Sequence, residues 1–462
     1  MLIFLLVGGV IFLASYIRRK PHLMGPWRNV FRSHRAMAAA VVLVFYVTIG
    51  LLDSVHFQKP LPQQDEQSEV YYSVEILSLF DLFTNSIRNQ VEQTYSAPFA
   101  TQLYMKQTVI QDDGSQVRIY PRLKHAGSHL DDPAGQKSQD IVVTGLRGLA
   151  WGLSLGLLLC LIVMAWHAWT TGLSLQQSWQ DIWRGRTTYP LNTMLVTAGL
   201  LIVIMAVLFT LGQKYHVFGT DKVGQDVFYL SLKSIRTGLV IGTLTTLVML
   251  PFALLLGTMA GYFRGWIDDA IQYLYTTLNS IPGILLIAAA ILSVQVYIAN
   301  HADLFETTME RADLRLLALC AVLGVTSWTG LCRLLRGESL KLREMDYVQA
   351  ATAFGVRHFT ILGRHILPNV LHIVLIIVVL DFSTLVLAEA VLSYVGVGVD
   401  PSTISWGNMI NGARLELARE PVVWWSLMAA FVLMFALVLS ANLFADAVRD
   451  AFDPRIARIE RK

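Results

Sequence analysis

Apolar residues in this sequence are gathered into runs, and each run approaches the roughly 20 residues that a helix needs to cross a bilayer. Hydrophobic residues make up 54% of the chain and charged residues only 15%, a balance too apolar for a soluble domain of this length. The formal net charge of +3 gives no basis for nucleic-acid binding. The sequence therefore predicts an all-α, polytopic membrane protein.

The runs predict nine transmembrane helices, at about residues 2–17, 36–52, 146–168, 191–212, 237–260, 272–298, 314–335, 369–396 and 423–445. The first run has no preceding positive segment and no small-residue cleavage site, so we interpret it as a retained helix. The loop after it is basic and lacks acidic residues, which places it in the cytoplasm. We therefore expect the N-terminus outside and the basic tail, residues 456–462, inside.

The polar stretch of residues 53–145 separates the second and third predicted spans and is predicted to be a small α+β extracytoplasmic domain. Residues 68–93 carry apolar side chains at helical spacing, which favours an amphipathic helix. Two alternating segments flank Asp112-Asp113-Gly114, which is typical of a β-hairpin. Acidic residues outnumber basic ones here, so the domain is expected to steer a basic peptide or to meet a basic patch on a partner. A solvated spacer is the alternative.

The most informative segment, residues 338–368, lies between the seventh and eighth predicted spans. It has helix-forming polar residues, Gly355 where one helix would end, a second short helix, and Pro368 at the start of the next span. This order predicts a short, rigid helix pair at the cytoplasmic membrane surface. Such a pair is suited to a partner that must move the transmembrane helices.

This segment, YVQAATAFG followed by RHILPN, resembles the EAA coupling loop of ABC import permeases, in the variant found in oligopeptide and dipeptide permeases. In that family the loop docks on a cytoplasmic ATPase. The resemblance implies this role for Tyr347, Gln349, Ala350, Ala351, Gly355, His365, Ile366, Leu367 and Pro368. Gln349 stands where the family usually has Glu, so an ion pair is not expected at that position.

Three further motifs resemble the same family. Residues 218–228 resemble its FGTDxxGRDVF segment outside the first core helix, with Gly219, Thr220, Asp221, Gly224 and Asp226 as the matching residues. Residues 387–398 and 405–407 resemble its LAEASLSFLGLG and SWG pattern, and residues 446–455 resemble its closing DxLRDxLDPR. The four motifs occur in family order over roughly residues 215–455.

The resemblance implies a type I ABC importer core of six helices, preceded by three extra helices. The implied organisation is two helices with a basic loop (1–52), the extracytoplasmic domain (53–145), a third helix and linker (146–190), the permease core (191–455, coupling loop 338–368) and the tail (456–462). The implied function is that of an inner-membrane permease subunit in a binding-protein-dependent importer of di- or oligopeptides, working by alternating access.

The implied partners are a second related permease, two cytoplasmic P-loop ATPases and an extracytoplasmic peptide-binding protein. ATP and Mg would be bound by the ATPases, so no cofactor is expected in this chain, which has no GxxxxGK[ST] segment and is not expected to be an enzyme. No metal site is expected either, because His216, His358 and His365 lack metal-ligand spacing.

Seven residues are candidates for the substrate pathway. Asp381 and Glu389 are ionisable groups within an apolar run, so each either faces the pathway or bonds a neighbouring helix. Pro282 is predicted to kink its helix, and the kink either forms a gate or serves structure alone. The glycines either line the pathway or serve packing and helix ends. The full set is Pro282, Asp381, Glu389, Ser393, Gly396, Gly398 and Trp406.

Two other functional classes fit the sequence less well. An ion-coupled secondary transporter or channel would need paired intramembrane carboxylates and would leave the coupling segment unexplained. An intramembrane enzyme would need a catalytic constellation, and neither GxSxG nor HExxH is present. Within the ABC family, antimicrobial peptides, glutathione and nickel chelates are alternative substrates.

Overall fold

A computed structural model of the chain describes residues 8–9, 21–60, 72–110, 116–301 and 307–452. Among these residues, eight helices are long and apolar enough to cross a membrane: His34–Ser54, Gly135–Thr171, Leu191–Gly212, Val227–Phe263, Gly283–Asn300, Glu310–Arg343, His358–Val395 and Trp425–Phe452. These helices confirm eight of the nine predicted spans. The predicted span at residues 2–17 and the tail at residues 456–462 lie outside the described residues.

The N-terminal part of the chain mixes helices with two small antiparallel sheets. Its elements are α1 (Pro21–Arg32), α2 (His34–Ser54), β1 (His56–Pro60), β2 (Tyr72–Ser78), α3 (Leu79–Phe83), α4 (Asn85–Arg88), β3 (Gln107–Ile110) and β4 (Gln116–Ile119). The sheets pair β1 with β2 and β3 with β4.

The rest of the described chain is helical. Its elements are α5 (Pro133–Thr171), α6 (Leu175–Trp183), α7 (Leu191–Gly212), α8 (Val227–Phe263), α9 (Trp266–Ser280), α10 (Gly283–Asn300), α11 (Thr308–Arg343), α12 (Asp346–Ala353), α13 (His358–Ile361), a π-helical turn (Leu362–Ile366), α14 (Leu367–Val395), α15 (Trp406–Glu416) and α16 (Trp425–Phe452).

The described residues form two units. The first contains the chain up to Thr237 together with Ile404–Ala447, and the second contains Gly238–Thr403 and the residues from Val448 onward. In the first unit α5 packs along α7, and α2 also contacts α7. The buried side chain of Tyr46 fixes the extra helix α2 to other helices of this unit. Its hydroxyl donates a hydrogen bond to Leu433 O (2.8 Å), and its ring lies edge-on to Trp406.

The second unit has two buried apolar clusters. The first cluster contains, among others, Met249, Tyr262, Trp328, Val348, Ile361, Ile366, Val370 and Val374. The second cluster contains, among others, Ile241, Leu244, Leu319, Leu323, Leu392 and Val399. Helices α8, α11 and α14 contribute to both clusters, so each of them carries an apolar face along much of its length.

The predicted helix over residues 68–93 is wrong for the residues that the structure describes. Tyr72–Ser78 is a strand that pairs with His56–Pro60, and only short helices follow it. Ser78 and Asp81 form a capping box, in which Ser78 Oγ accepts from Asp81 N (3.1 Å) and Asp81 Oδ2 accepts from Ser78 N (2.9 Å). This box starts a helix at Leu79 and so ends the preceding segment. The apolar residues of β2 also fit a two-residue period, and the long-range partner strand decides between the two patterns.

The predicted hairpin is confirmed in its strands. Residues Gln107–Ile110 pair antiparallel with Gln116–Ile119, with Gln107 opposite Ile119 and Ile110 opposite Gln116. The predicted turn at residues 112–114 lies outside the described residues.

The predicted span at residues 272–298 is also corrected. Pro282 breaks the helix rather than kinking it: α9 ends at Ser280, Ile281 is extended (φ −93°, ψ 133°), and α10 begins at Gly283. A proline lacks the amide hydrogen needed to continue a helix and pushes the preceding residue toward the extended region. The membrane-spanning part therefore begins at Gly283.

A buried ion cluster joins residues 92–126 to the loop before α8. His216 Nδ1 bonds Asp226 Oδ2 (2.6 Å), and its Nε2 lies 3.6 Å from Glu92 Oε1. The Glu92 carboxylate also accepts from the backbone amides of Lys124 and His125 (2.8 Å each). All three charged side chains of the cluster are almost fully buried, so each depends on the others to remain charged.

The electrostatics of this cluster favour its charged form. Burial alone would lower the pKa of His216, but the hydrogen bond to Asp226 and the nearby Glu92 carboxylate raise it to about 9. Burial alone would raise the pKa of Glu92, but His216 and the backbone amides outweigh it and lower the pKa to about 2. The cluster is therefore an ion pair throughout the neutral pH range.

A second ion cluster joins α2, α3 and the first turns of α8. Lys233 Nζ lies 2.6 Å from Asp81 Oδ1 and 3.8 Å from Asp53 Oδ1, and Arg236 Nε lies 3.3 Å from Asp53 Oδ2. Tyr229 donates to Asp81 Oδ1 (2.6 Å). Burial would raise the pKa of Asp81, but the bonds from Lys233 and Tyr229 lower it to about 2. The extra N-terminal part is thus bonded directly to a core helix.

The raised pKa of His216 predicts a pH-dependent stability. An unfolded histidine has the ordinary pKa of 6.5, so the contribution is complete below pH 6.5 and is lost as the pH rises through about 9. Each pH unit in this window removes up to about 1.4 kcal/mol. We expect the melting temperature of the purified protein to fall over this range, and His216→Gln to remove that part of the slope.

The control is His125→Gln, because only the backbone amide of His125 bonds Glu92 and that amide is retained. Unchanged pH dependence in His216→Gln, measured by thermal unfolding in detergent, would contradict the assignment.

Candidate functional site

The segment between α11 and α14 in the second unit has the predicted two-helix form. Gly355, whose φ is +71°, follows the last residues of helix α12, and the amides of Gly355 and Val356 donate to Thr352 O (3.0 Å) and Ala351 O (3.1 Å). This is a left-handed helix end, which favours glycine because a Cβ is strained there. Helix α13 follows directly, and Pro368 stands in the first turn of α14. Residues 338–343, predicted as part of this segment, belong to the end of α11.

Four apolar side chains fix this segment to the second unit. Val348 of α12, Ile361 of α13, and Leu362 and Ile366 of the π-helical turn are buried in the first cluster. Burial of each contributes on the order of 1.5–3 kcal/mol. Tyr262 of α8 adds a hydrogen bond between its hydroxyl and His358 Nδ1 (2.8 Å). The two short helices are therefore fixed to the membrane-spanning helices against which they pack.

Polar contacts stiffen the same region. Arg336 of α11 makes a bidentate pair with Asp268 of α9, with N–O distances of 2.5 and 2.7 Å. This pair lowers the pKa of Asp268, mainly through the hydrogen bonds from Arg336. Gln349 Nε2 donates to Glu344 O (3.2 Å) at the end of α11. Gln349 therefore links α12 to the residue that caps α11.

The opposite face of the segment is exposed and partly aromatic. Tyr347, Gln349, Ala350 and Gly355 are exposed, and Ala351 is half-buried. Phe354 is 88% exposed and Phe359 is 74% exposed. The sequence interpretation missed both phenylalanines, although large apolar residues in a polar loop are a signal for a docking surface. We define Tyr347, Ala350, Phe354 and Phe359 as the docking face.

The C-terminal residues of the segment differ in exposure. Ile366 is buried, His365, Leu367 and Pro368 are half-buried, and Asn369 is exposed. Asn369 Nδ2 donates to His365 O (2.6 Å) and to the Tyr347 hydroxyl (3.1 Å). Asn369 of the RHILPN residues thus holds the Tyr347 side chain in place by a hydrogen bond, and these residues do not extend the docking face.

The motif at residues 218–228 forms a tight loop in the first unit. Gly219 and Gly224 have φ of +68° and +80°, and Asp221 Oδ1 accepts from the amides of Val223 (3.0 Å) and Gln225 (2.8 Å). Thr220 is buried, accepts from Ser96 N (2.7 Å) and donates to Thr94 O (2.9 Å). The loop is therefore built into residues 92–99, which the family motif alone does not predict.

The motif at residues 387–398 forms a closed helix end in the second unit. Glu389 is 3% exposed and accepts from Ser393 Oγ (2.7 Å). Gly396 ends α14 in the left-handed conformation, and Arg315 Nε donates to Gly398 O (3.1 Å). A Cβ on Gly398 would lie 2.0 Å from Ser393 Oγ and 2.5 Å from Ser393 Cα, so only glycine fits there.

The seven pathway candidates fall into two groups in the structure. Glu389, Ser393, Gly398 and Trp406 are buried within their own units. Trp406 donates from Nε1 to Ser231 O (2.9 Å) and contacts Tyr46. Only three candidates reach a surface, at least in part: Pro282, Asp381 and Gly396.

The close approach at Gly398 predicts a sharp effect of a single methyl group. Gly398→Ala should place its Cβ against the backbone of Ser393, which cannot move without unwinding the helix end, so we expect a loss of several degrees in melting temperature. Gly412→Ala is the matched control, because a Cβ there meets nothing within 4 Å inside α15. Equal melting temperatures for both variants would contradict the packing account.

Comparison with known proteins matches the C-terminal part of the chain. Residues 253–458 match the family described as the inner membrane component of binding-protein-dependent transport systems. The chain is 31% identical over 243 residues to the glutathione transport system permease protein of Pectobacterium atrosepticum. The aligned region covers 52% of this chain and 73% of that protein. It is 29% identical over 246 residues to the oligopeptide transport system permease protein of Mycobacterium bovis. This aligned region covers 53% of this chain and 78% of that protein.

The family match contains residues 338–368 and the helices from α9 to α16. The family match contains three of the four motifs, and the match and the level of identity agree with the eight candidate spans among the described residues. The chain therefore belongs to the family of binding-protein-dependent transport system inner membrane components, the permease subunits of ABC transporters.

Proposed function

We propose that this chain is one of two unlike permease subunits in an ATP-driven importer of peptides. The observation that carries the proposal is the segment between α11 and α14. Its inner face is fixed in the first cluster, and its outer face leaves Phe354 and Phe359 exposed. A segment of this kind is suited to receive force from a partner and to pass it to membrane-spanning helices.

The docking face is proposed to bind a cytoplasmic P-loop ATPase. Aromatic side chains supply large contact area at low conformational cost, which makes Phe354 and Phe359 the natural anchors. An extracytoplasmic binding protein would deliver the substrate from the other side. ATP and Mg belong to the ATPases in this proposal, and this chain supplies the path.

The proposed orientation follows from the basic loop and the span count. Six candidate spans lie between α1 and α12, and an even number returns the chain to the same side. Arg28, Arg32 and Arg35 make the loop at α1 basic, which favours the cytoplasmic side. The docking face then lies in the cytoplasm, and residues 53–145 lie outside the membrane on the opposite side.

The proposed substrate class is di- or oligopeptides. Two relatives are named as permeases for oligopeptides and for glutathione, itself a small peptide. A peptide substrate also suits an outer segment with exposed acidic residues such as Asp131 and Asp132, which would attract a basic peptide.

The proposed role of the docking face gives the test of this function. Gly355→Val forces a β-branched residue into the left-handed region, at a cost of about 1–2 kcal/mol. Ala350→Glu adds a charge to the docking face. We expect both variants to insert normally but to lose most peptide-stimulated ATP hydrolysis in the reconstituted transporter. Gly337→Ala is the control, because a Cβ there meets nothing within 4 Å. Full activity of both coupling variants would reject the proposal.

We further propose that the β3–β4 hairpin contacts the binding protein. An isolated two-stranded ribbon is marginally stable in water, and Ile110, Ile119 and Tyr120 are all exposed on or beside this one. The ion clusters at Glu92 and Asp81 hold the surrounding segment in place, so the hairpin can be altered without removing its support.

Replacing Ile110, Ile119 and Tyr120 together by serine should weaken binding-protein affinity at least about tenfold, since a loss of 1.4 kcal/mol is sufficient. The measurement is titration of the labelled binding protein onto the reconstituted complex. Phe83→Ser, which also alters an exposed apolar residue outside the hairpin, is the control. Unchanged affinity, assembly and uptake in the triple variant would leave the segment as a spacer.

A further inference from the structure

An aspartate occupies the centre of a long apolar helix in the second unit. Asp381 is the middle residue of α14, which has 29 residues. At 1.5 Å per residue, about 21 Å of helix separates it from either end. Its carboxylate therefore lies near the middle of the membrane-spanning segment His358–Val395, where a charged group without a partner is unfavourable.

Asp381 lies at the edge of the face of α14 that packs inside the unit, because Thr384, three residues later, is exposed. Val374, seven residues earlier, and Leu385, four residues later, share this face and are both buried. Ile377 and Val378 pack against the first cluster, and Ala388 packs against the second. Asp381 therefore interrupts an apolar face between the two clusters and is itself only half-buried.

Within the described part of the chain, no hydrogen bond or ion pair satisfies this carboxylate. The arginines of α11 that lie closest to the membrane interior by sequence are engaged elsewhere. Arg315 pairs with Asp400 (3.5 Å), Arg333 lies over the Tyr275 ring (5.7 Å), and Arg336 pairs with Asp268. Glu389, the other carboxylate of α14, is buried and accepts a hydrogen bond from Ser393. It therefore differs from Asp381 both in burial and in having a hydrogen-bond partner.

We propose that Asp381 binds the terminal ammonium group of the peptide during its passage through the membrane. This inference rests on the proposed peptide import. The arginines of α11 named above lie in a candidate span and have partners of their own, so they do not neutralise Asp381. A translocated peptide brings its own ammonium group to every depth of the path, and that group is largely charged at neutral pH.

The role expected of Asp381 is recognition of free amino termini. A hydrogen bond between two charged groups contributes about 1.5–3 kcal/mol, which corresponds to roughly a ten- to hundredfold preference. A peptide with an acetylated amino group lacks the charge and should gain nothing from Asp381. Selectivity between the two forms is thus the direct signature of the site.

The test uses the full transporter reconstituted in proteoliposomes with its ATPases and binding protein. Uptake of a radiolabelled alanine tripeptide is compared with uptake of its N-acetyl form. We expect Asp381→Asn to reduce uptake of the free peptide at least about tenfold and to leave the acetylated peptide unchanged, and Asp381→Glu to retain the preference. Thr384→Val, an exposed residue one turn away on α14, is the control and should behave as wild type.

Three results would overturn this role while leaving peptide import intact. Asp381→Asn could reduce both peptides equally, could leave both unchanged, or could lose the second permease on purification, which would make Asp381 an intersubunit contact. If the wild-type transporter takes up neither form of the peptide, the proposed peptide function is rejected, and this role of Asp381 is rejected with it.

Discussion

Lys233 and Arg236 lie in the early turns of α8, and their pairing with Asp53 and Asp81 connects the extra N-terminal part to the transport core. Cationic side chains in a membrane-spanning helix need a partner or water, because the apolar medium gives neither. The whole cluster lies N-terminal to the region that matches the family, which begins at residue 253. The extra helix α2 and the segment after β2 are therefore part of what stabilises the start of the first long core helix, in addition to anything they contact outside the chain.

The parts of the fold that the sequence predicts are those governed by local chemistry. In a bilayer each backbone polar group must be paired within its own segment, so apolar runs of sufficient length become helices whatever surrounds them. The same holds for the coupling segment, where Gly355 ends one helix and Pro368 starts another through local backbone preferences. The β3–β4 strands also follow from alternation over a few residues.

The parts that the sequence could not predict depend on distant partners. Strand β2 forms because His56–Pro60 lies beside it, and its own residues are compatible with either period. The pairing of Glu92 with His216 joins residues 124 positions apart, and neither belongs to a motif. The sequence does not predict the helix break at Pro282, because a proline in a helix can cause either a kink or a helix end, depending on the surrounding packing. The exposure of Phe354 likewise depends on which face of α12 is buried.

The helices that follow the docking face suggest how a displacement of that face by a partner would be transmitted to the membrane-spanning part of α14. Residues His358–Val395 form one continuous helical stretch, because α13 runs through the π-helical turn Leu362–Ile366 into α14 without a loop. A π-helical turn widens the helix locally and is frequent at functional sites. Here it carries Ile366 into the first cluster, between the docking face and the long span. In the proposed mechanism, a displacement of α12 and α13 would therefore be passed along a packed helix to the level of Asp381, because no loop interrupts that stretch.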